Sequence, residues 1–366
     1  MIYNLLKQKA NLLIAIWIMA VAMPTLAVER KYYIAAEEIM WNYLPQDKNI
    51  MMGRPINDDE EIFTANTPQL IGSTYKKAVY REYTDASFQE YVQRPDEWQH
   101  LGILGPVIHA EVGDVIKVVF RNKASRPYTI HPHGVFYTKA AEGSPYADGT
   151  SGQDKKDDLV KPGETYTYVW QVPTHAGPAN NDSSSVGWLY HSHVDEIADT
   201  NTGLVGAIIV TAAGKAKPDG SPNDVDTEFV NLFTVMNENE SWYLQENIEQ
   251  FTSADIDTDD EAFQESNLMH VINGYVYGNI PHLISQKSNR IRWYVMALGT
   301  EVDLHSPHWH GNTGVANGRR LDVINLIPAE SRVVDMVAHN PGIWMYHCHV
   351  NDHLSAGMTA LYQIKE

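Results

Sequence analysis

Short runs rich in Val, Ile, Tyr, Thr and Trp recur along the chain, as in Val115 to Phe120, Tyr166 to Val172, Leu204 to Val210 and Arg290 to Met296. Gly, Pro, Asn and Asp bound them, the pattern of strands separated by turns. Helical periodicity is weak, so only short helical turns are expected, for example around Ala86 to Val92. The pattern predicts an all-β chain.

The pattern is interrupted at Ala212 to Asn223, AAGKAKPDGSPN, which lacks large apolar residues and carries two prolines and two glycines. This is the composition of a connector. We place a linker at 214–223, between one domain at 28–213 and a second at 224–366. The same order of pieces occurs on both sides: an apolar strand, a His-x-His-Gly, a turn with proline, another strand, then Trp-(Leu/Met)-Tyr-His-x-His-Val and a last apolar strand. The first copy holds IHPHG at Ile130 to Gly134 and WLYHSHV at Trp188 to Val194. The second holds HWHG at His308 to Gly311 and WMYHCHV at Trp344 to Val350.

Residues 1–27 break with the rest. Lys7 and Lys9 precede an apolar core, Leu12 to Met23, and a small-residue site at Thr25-Leu26-Ala27. This reads as a secretory signal, with a core too short to span a bilayer. Export to a periplasmic or extracellular space is expected, with no membrane span after cleavage; a retained N-terminal anchor is the alternative.

The 366 residues carry 27 Lys and Arg against 46 Asp and Glu, a formal net charge of -19. That sign disfavours nucleic acid and attracts cations. A single cysteine, Cys348, excludes an intramolecular disulfide.

Ten of the 16 histidines fall in four clusters: His131 and His133; His191 and His193; His305, His308 and His310; His347, His349 and His353. Residues two apart on a strand share a face, so each His-x-His presents two imidazoles to one site. Imidazole alone leaves copper, zinc, iron and nickel open. Cys348 narrows the choice. Lying between His347 and His349, it points to the opposite face, toward a second site that His305, His353 and Met358 can complete. Two His, one thiolate and a weak Met form the blue-copper set. The first half lacks this set: Ser192 stands at the Cys348 position, Tyr128 at His305, and the residues around Glu196 and Ile197 offer no counterpart of His353.

With HSPHWHG at His305 and HCHVNDHLSAGM at His347, the sequence resembles the multicopper oxidases, and within them the ceruloplasmin and hephaestin group, whose modules also occur in coagulation factors V and VIII. KYYIAAEEIMWNY at Lys31, GPVIHAEVGD at Gly105 and FQESNLMHVINGYVYG at Phe263 extend the likeness over nearly the whole chain. The resemblance implies two cupredoxin-like Greek-key β-sandwich domains and four coppers per chain. By motif, His131 and His308 would hold the mononuclear copper of a trinuclear cluster. His133, His191 and His349 would bind one copper of the coupled pair, and His193, His310 and His347 the other.

Ceruloplasmin closes a ring of six such modules, so a two-module chain is expected to form a cyclic homotrimer with the cluster at subunit interfaces. The chain also departs from the animal relatives at Ser184, Ser185 and Thr211, near places where they carry disulfide cysteines. Asp154, Asp157 and Asp158, with the Lys139 carbonyl, match a calcium loop of these modules, although Lys155 and Lys156 can balance the same charges unaided. Glu265, His270 and Asp352, with Glu301 from a neighbouring module, match the iron-binding residues of the ceruloplasmin group. The implied activity is one-electron oxidation of a reductant, foremost ferrous iron, coupled to reduction of dioxygen to water. A laccase-like oxidase of phenols or other metal ions is the rival reading. A copper nitrite reductase keeps its Cys copper in the first domain, and a noncatalytic module would tolerate loss of the histidines, so both fit less well.

Overall fold

The computed structural model describes residues 27–253, 255–281 and 283–366. The proposed signal segment, except Ala27, lies outside the described residues. Four large sheets build the molecule. In the first, Glu29–Asn42 runs antiparallel to Thr74–Tyr83 and parallel to Val115–Asn122, which pairs with Thr165–Gln171. The second orders Ile108–Glu111, Val205–Thr211, Ser185–His191 and His131–Pro132. The third is built on Thr227–Asn237, Arg290–Ala297 and Ser331–Val337. The fourth repeats the second, with Ile284–Gln286, Thr359–Lys365, Gly342–Cys348 and Pro307–Trp309 in that order. No sheet draws strands from both sides of the connector between Thr211 and Thr227.

Burial follows the residue pattern. Val115–Asn122 alternates and buries Ile116, Val118 and Phe120 between the first two sheets. Val205–Thr211 is buried at every position. Ile208 and Val210 face the first core, while Val205, Ala207 and Ile209 pack on Val230, Leu232, Tyr294 and Met296 of the second half. A strand covered on both faces needs an uninterrupted apolar run. The halves therefore share a hydrophobic interface.

Polar groups are buried there too. Ser185 and Thr211 are cross-strand partners and are fully buried. Ser185 Oγ lies 2.6 Å from Tyr294 Oη and accepts from Arg292 at 2.8 Å, and Thr211 Oγ1 donates to the Gly220 carbonyl at 2.8 Å. Arg292 in turn grips both Asp335 oxygens, at 2.6 and 3.0 Å. Deeper still, Lys77 of the first half pairs with Glu238 of the second, both fully buried, and donates to the Asn201 carbonyl at 2.7 Å. Lys77→Met is expected to lower unfolding free energy by about 3–5 kcal/mol, because Glu238 is left buried without its cation. Adding Glu238→Leu should recover much of that loss in denaturant titrations.

The expected helical turn around Ala86 to Val92 is not there. That segment is a bend in which Phe88 adopts φ 52° and buries its ring against Tyr83, while Tyr91 bridges Tyr83. Tertiary packing of the aromatic rings overrides the weak local period. Short helices occur instead at Glu61–Thr64, Glu196–Thr202, Leu244–Phe251, Glu261–Ser266 and Asn351–Ser355. Among the described residues no helix is long and apolar enough to cross a membrane.

Candidate metal centres

The strand Gly342–Cys348 ends with His347 and Cys348 facing opposite ways, as a period of two requires. On one face, Cys348 Sγ lies 3.6 Å from His353 Nδ1 and 3.9 Å from His305 Nδ1, and the two Nδ1 atoms are 3.2 Å apart. All three residues are buried. His305 comes from the loop before Pro307–Trp309, fixed by paired backbone bonds to Leu326. His353 sits on the helix Asn351–Ser355. Met358 is fully buried in the same core, and its carbonyl accepts from the Cys348 N–H. Burial holds the Cys348 thiol above its ordinary pKa, so it stays protonated unless a cation takes the proton's place. A dry set of two imidazoles and one sulfur fits copper.

On the other face, His347 and His349 gather with His308 and His310. His310 Nε2 and His347 Nε2 approach to 3.1 Å. The first half builds a matching group, in which His131 packs on His133, His191 and His193, and the Nε2 atoms of His133 and His191 lie 2.9 Å apart. Behind these rings the Nδ1 atoms are engaged: His131 with the Glu142 carbonyl, His191 with the Ser192 carbonyl, His193 with Ser144 Oγ and His347 with the Cys348 carbonyl. Such bonds fix the tautomer and aim Nε2 into the site. Burial depresses His133 and His347 to about 4 and His191 to about 3, which keeps these imidazoles neutral and their lone pairs free at neutral pH. Two neutral Nε2 atoms at 3 Å suit a shared cation. Among the described residues no ring contact joins the first-half group to the second-half group.

Two family models, both described as multicopper oxidase, match residues 84–215 and 245–366. Together they cover more than two thirds of the chain. The chain belongs to the multicopper oxidase family. It is 45% identical to human ferroxidase HEPHL1 over 98% of its own length and 31% of that protein. It is 43% identical to human hephaestin, with 98% and 31% covered, and 43% identical to rat ceruloplasmin, with 92% and 32% covered. The chain thus spans about a third of the length of these relatives. Among solved structures, multicopper oxidase mgLAC aligns over 92% of this chain and 86% of its own, with TM-score 0.57 and 18% identity. The blue copper oxidase from Nitrosomonas europaea aligns over the same shares, with TM-score 0.55 and 17% identity. The fold is the expected all-β pair of cupredoxin-like sandwiches.

In this multicopper oxidase the residues matched to iron binding are brought together only in part. His270 is buried, with its ring 5.3 Å from that of His353. Burial, reinforced by His353, depresses it to about 4. Asp352 is exposed on the helix that carries His353, and Glu265 is exposed at the end of Glu261–Ser266. Glu301 is exposed in the loop before His305. Among the described residues no hydrogen bond or ion pair engages the three carboxylates.

The loop matched to calcium is occupied by lysines. Lys155 Nζ bonds Asp148 at 2.9 Å, Asp158 at 3.0 Å and the Tyr146 carbonyl at 2.9 Å. Lys139 Nζ bonds Glu142 at 2.6 Å and Asp148 at 3.3 Å. Asp154 is exposed. Asp157 is fully buried; its Oδ2 accepts from the Glu142 and Gly143 N–H groups, and its Oδ1 has no partner.

Three residues were missed in the sequence. Asp303 Oδ1 lies 3.3 Å from His305 Nε2, on the far side of the ring from Cys348. Glu196, two residues beyond the His191–Val194 segment, reaches His193 Nε2 at 3.2 Å; that contact raises His193 and holds Glu196 down to about 2. Asp199 corrects the view that His353 has no first-half counterpart. Met358 N–H donates to the His353 carbonyl, and Leu204 N–H donates to that of Asp199. The helix Glu196–Thr202 brings Asp199 to this place by a path two residues longer than the one from Cys348 to His353.

Proposed function

We propose that this chain is a ferroxidase: it takes single electrons from ferrous iron at the surface beside His353 and passes them to dioxygen, which is reduced to water. The arrangement that carries the reading is Cys348 with its back to His347 and His349. One peptide segment joins the blue-copper set, His305, Cys348, His353 and Met358, to the second-half histidines. Copper bound in these sets, four ions per chain, would supply one-electron redox chemistry and the capacity to deliver four electrons to dioxygen.

The residues do the rest. His131 and His308 would hold the mononuclear copper. The close Nε2 pairs support placing His133 and His191 on one copper, with His349, and His310 and His347 on the other, with His193. Because the two groups stand apart within one chain, the eight histidines are completed between copies, with the first half of one subunit against the second half of the next. Three copies in a closed ring satisfy this head-to-tail contact.

Glu265, His270 and Asp352 would receive iron, with Glu301 from the adjacent subunit. Their carboxylates have no other partner, and hard oxygen ligands favour ferric over ferrous iron, which makes bound iron the stronger reductant. The net charge of -19 concentrates cations at the surface. Residues 1–27 support export to a periplasmic or extracellular space. Calcium at Asp157 draws support from its unpartnered Oδ1, while Lys155 already neutralises Asp158.

The laccase-like reading draws on Val302, Leu304 and Ile327, apolar side chains 61%, 53% and 55% exposed on the segments flanking His305. Kinetics with ferrous iron, cuprous ion, manganous ion and a diphenol separate the two. Glu265→Ala, Asp352→Ala and Glu301→Ala, made singly, are each expected to lower kcat/KM for iron by roughly tenfold or more and to spare the diphenol. An equal fall for both substrates, or none for either, overturns the iron assignment.

A further inference from the structure

The first-half counterpart of the Cys348 site holds a hydrogen-bonded strut. Backbone bonds establish the correspondence. Cys348 N–H donates to the Met358 carbonyl at 3.1 Å and Met358 N–H to that of His353 at 2.9 Å; Ser192 N–H donates to Leu204 at 3.1 Å and Leu204 N–H to Asp199 at 3.2 Å. Ser192, Leu204 and Asp199 therefore stand where Cys348, Met358 and His353 stand. Tyr128, paired with Val160 as His305 is with Leu326, completes the set. Among the described residues no imidazole or sulfur stands at these four positions, and the polar side chains of Ser192, Asp199 and Tyr128 are each hydrogen-bonded.

Ser192 Oγ donates to Asp199 Oδ2 at 2.6 Å and accepts from the Thr129 N–H at 3.1 Å. The same Oδ2 takes the N–H groups of Val194 and Asp195 at 3.0 and 3.2 Å. The other oxygen, Oδ1, accepts from Trp242 Nε1 at 2.8 Å. Asp199 is 1% exposed and Ser192 is fully buried, whereas Trp242 belongs to the second half. From Ser192 the connection runs outward to the histidines. Its carbonyl orients the His191 ring through Nδ1 at 3.0 Å, and the His193 N–H donates to Thr129 Oγ1 at 3.0 Å.

We propose that Asp199 is a positioning residue that ties Trp242 of the second half to Ser192 and thereby sets where His191 and His193 present their imidazoles. In the second half a metal held by His305, Cys348 and His353 would fix the face opposite the histidines; in the first half a carboxylate stands there. A buried carboxylate with four donors is well suited to this, because each lost bond leaves a buried group unpaired. The inference rests on the reading of His191 and His193 as copper ligands.

The test uses the full chain with Asp199→Asn, Trp242→Phe and the double variant. In copper-loaded protein, Asp199→Asn should weaken retention of the histidine-bound copper against a chelator by about tenfold to a hundredfold and change its paramagnetic signature, with the blue band unaltered. In metal-free protein the ring nitrogen resonances of His191 and His193 should shift, more in Asp199→Asn than in Trp242→Phe, while those of His347 stay in place. The new amide N–H faces Trp242 Nε1–H, so the double variant should return part of the shift. Variants that lose melting temperature yet keep wild-type His191 and His193 resonances overturn the proposal. If wild-type protein retains copper only at Cys348, the ligand reading fails, and the metal-free resonances still decide whether Asp199 positions the rings.

Discussion

Replacing Cys348 with serine is expected to abolish the blue absorption and turnover together, while the copper held by the eight cluster histidines stays bound. The reason lies in the two faces of one strand. Cys348 supplies the only sulfur anion available to the His305 and His353 nitrogens, and charge transfer from a thiolate is what an intense blue band requires. A serine hydroxyl, far less acidic than a thiol, is a poor ligand in so dry a site and leaves two imidazoles without their anion. His347 and His349 are held by other bonds: His347 Nδ1 engages the Cys348 carbonyl at 2.7 Å, and the His349 N–H donates to Ser306 at 2.9 Å. Those are backbone contacts that the substitution keeps. Metal analysis and absorption spectra of the same preparation check the result. Parallel loss of all copper would mean that Cys348 carries the fold of the site as well as its colour.

The grouping of the histidines around Cys348 was legible in the sequence because the rule that builds it is local. A strand with period two puts His347 and His349 on one face and Cys348 on the other, and the rings are found there. The internal repeat was legible for a related reason: the two four-stranded sheets that carry the histidines have the same strand order, so the same residues recur at the same places. Asp199 was not legible. Its equivalence to His353 passes through a backbone bond after a helix of different length, and counting residues from Ser192 misses it by two. Lys155 among the acidic side chains near Asp158 was weighed as a charge balance, but which carboxylates it meets depends on a loop with no periodic pattern. The failed helical turn near Phe88 shows the same limit, since the burial of one ring decides the backbone there. The residues matched to iron binding lie between these cases. His270 is fixed by a strand and meets His353, whereas Glu265, Asp352 and Glu301 are exposed on short helices and a loop, where no strand period sets their direction.

Blocking the proposed head-to-tail assembly is expected to remove the copper assigned to the eight histidines and leave that assigned to Cys348 behind. Among the described residues no ring contact joins the two histidine groups, and exposed apolar side chains lie beside each. Phe136, 53% exposed, follows the first group, where Tyr137 packs on His131 with ring centroids 5.8 Å apart. Val337, 39% exposed, lines a cavity of about 400 Å³ with His308, His310 and His339. Uncovered apolar side chains beside incomplete ligand sets are what a heterologous interface between identical copies would bury. Phe136→Asp or Val337→Glu places a carboxylate in that joint, on a chain whose net charge of -19 already opposes association. Both positions lie outside the buried cores, so each chain should keep its fold and its Cys348 site. Light scattering should then report monomers, copper should fall from roughly four ions per chain to about one, and dioxygen consumption should cease although the blue band persists. An active monomer would refute the arrangement, because the eight histidines would have to converge within a single chain.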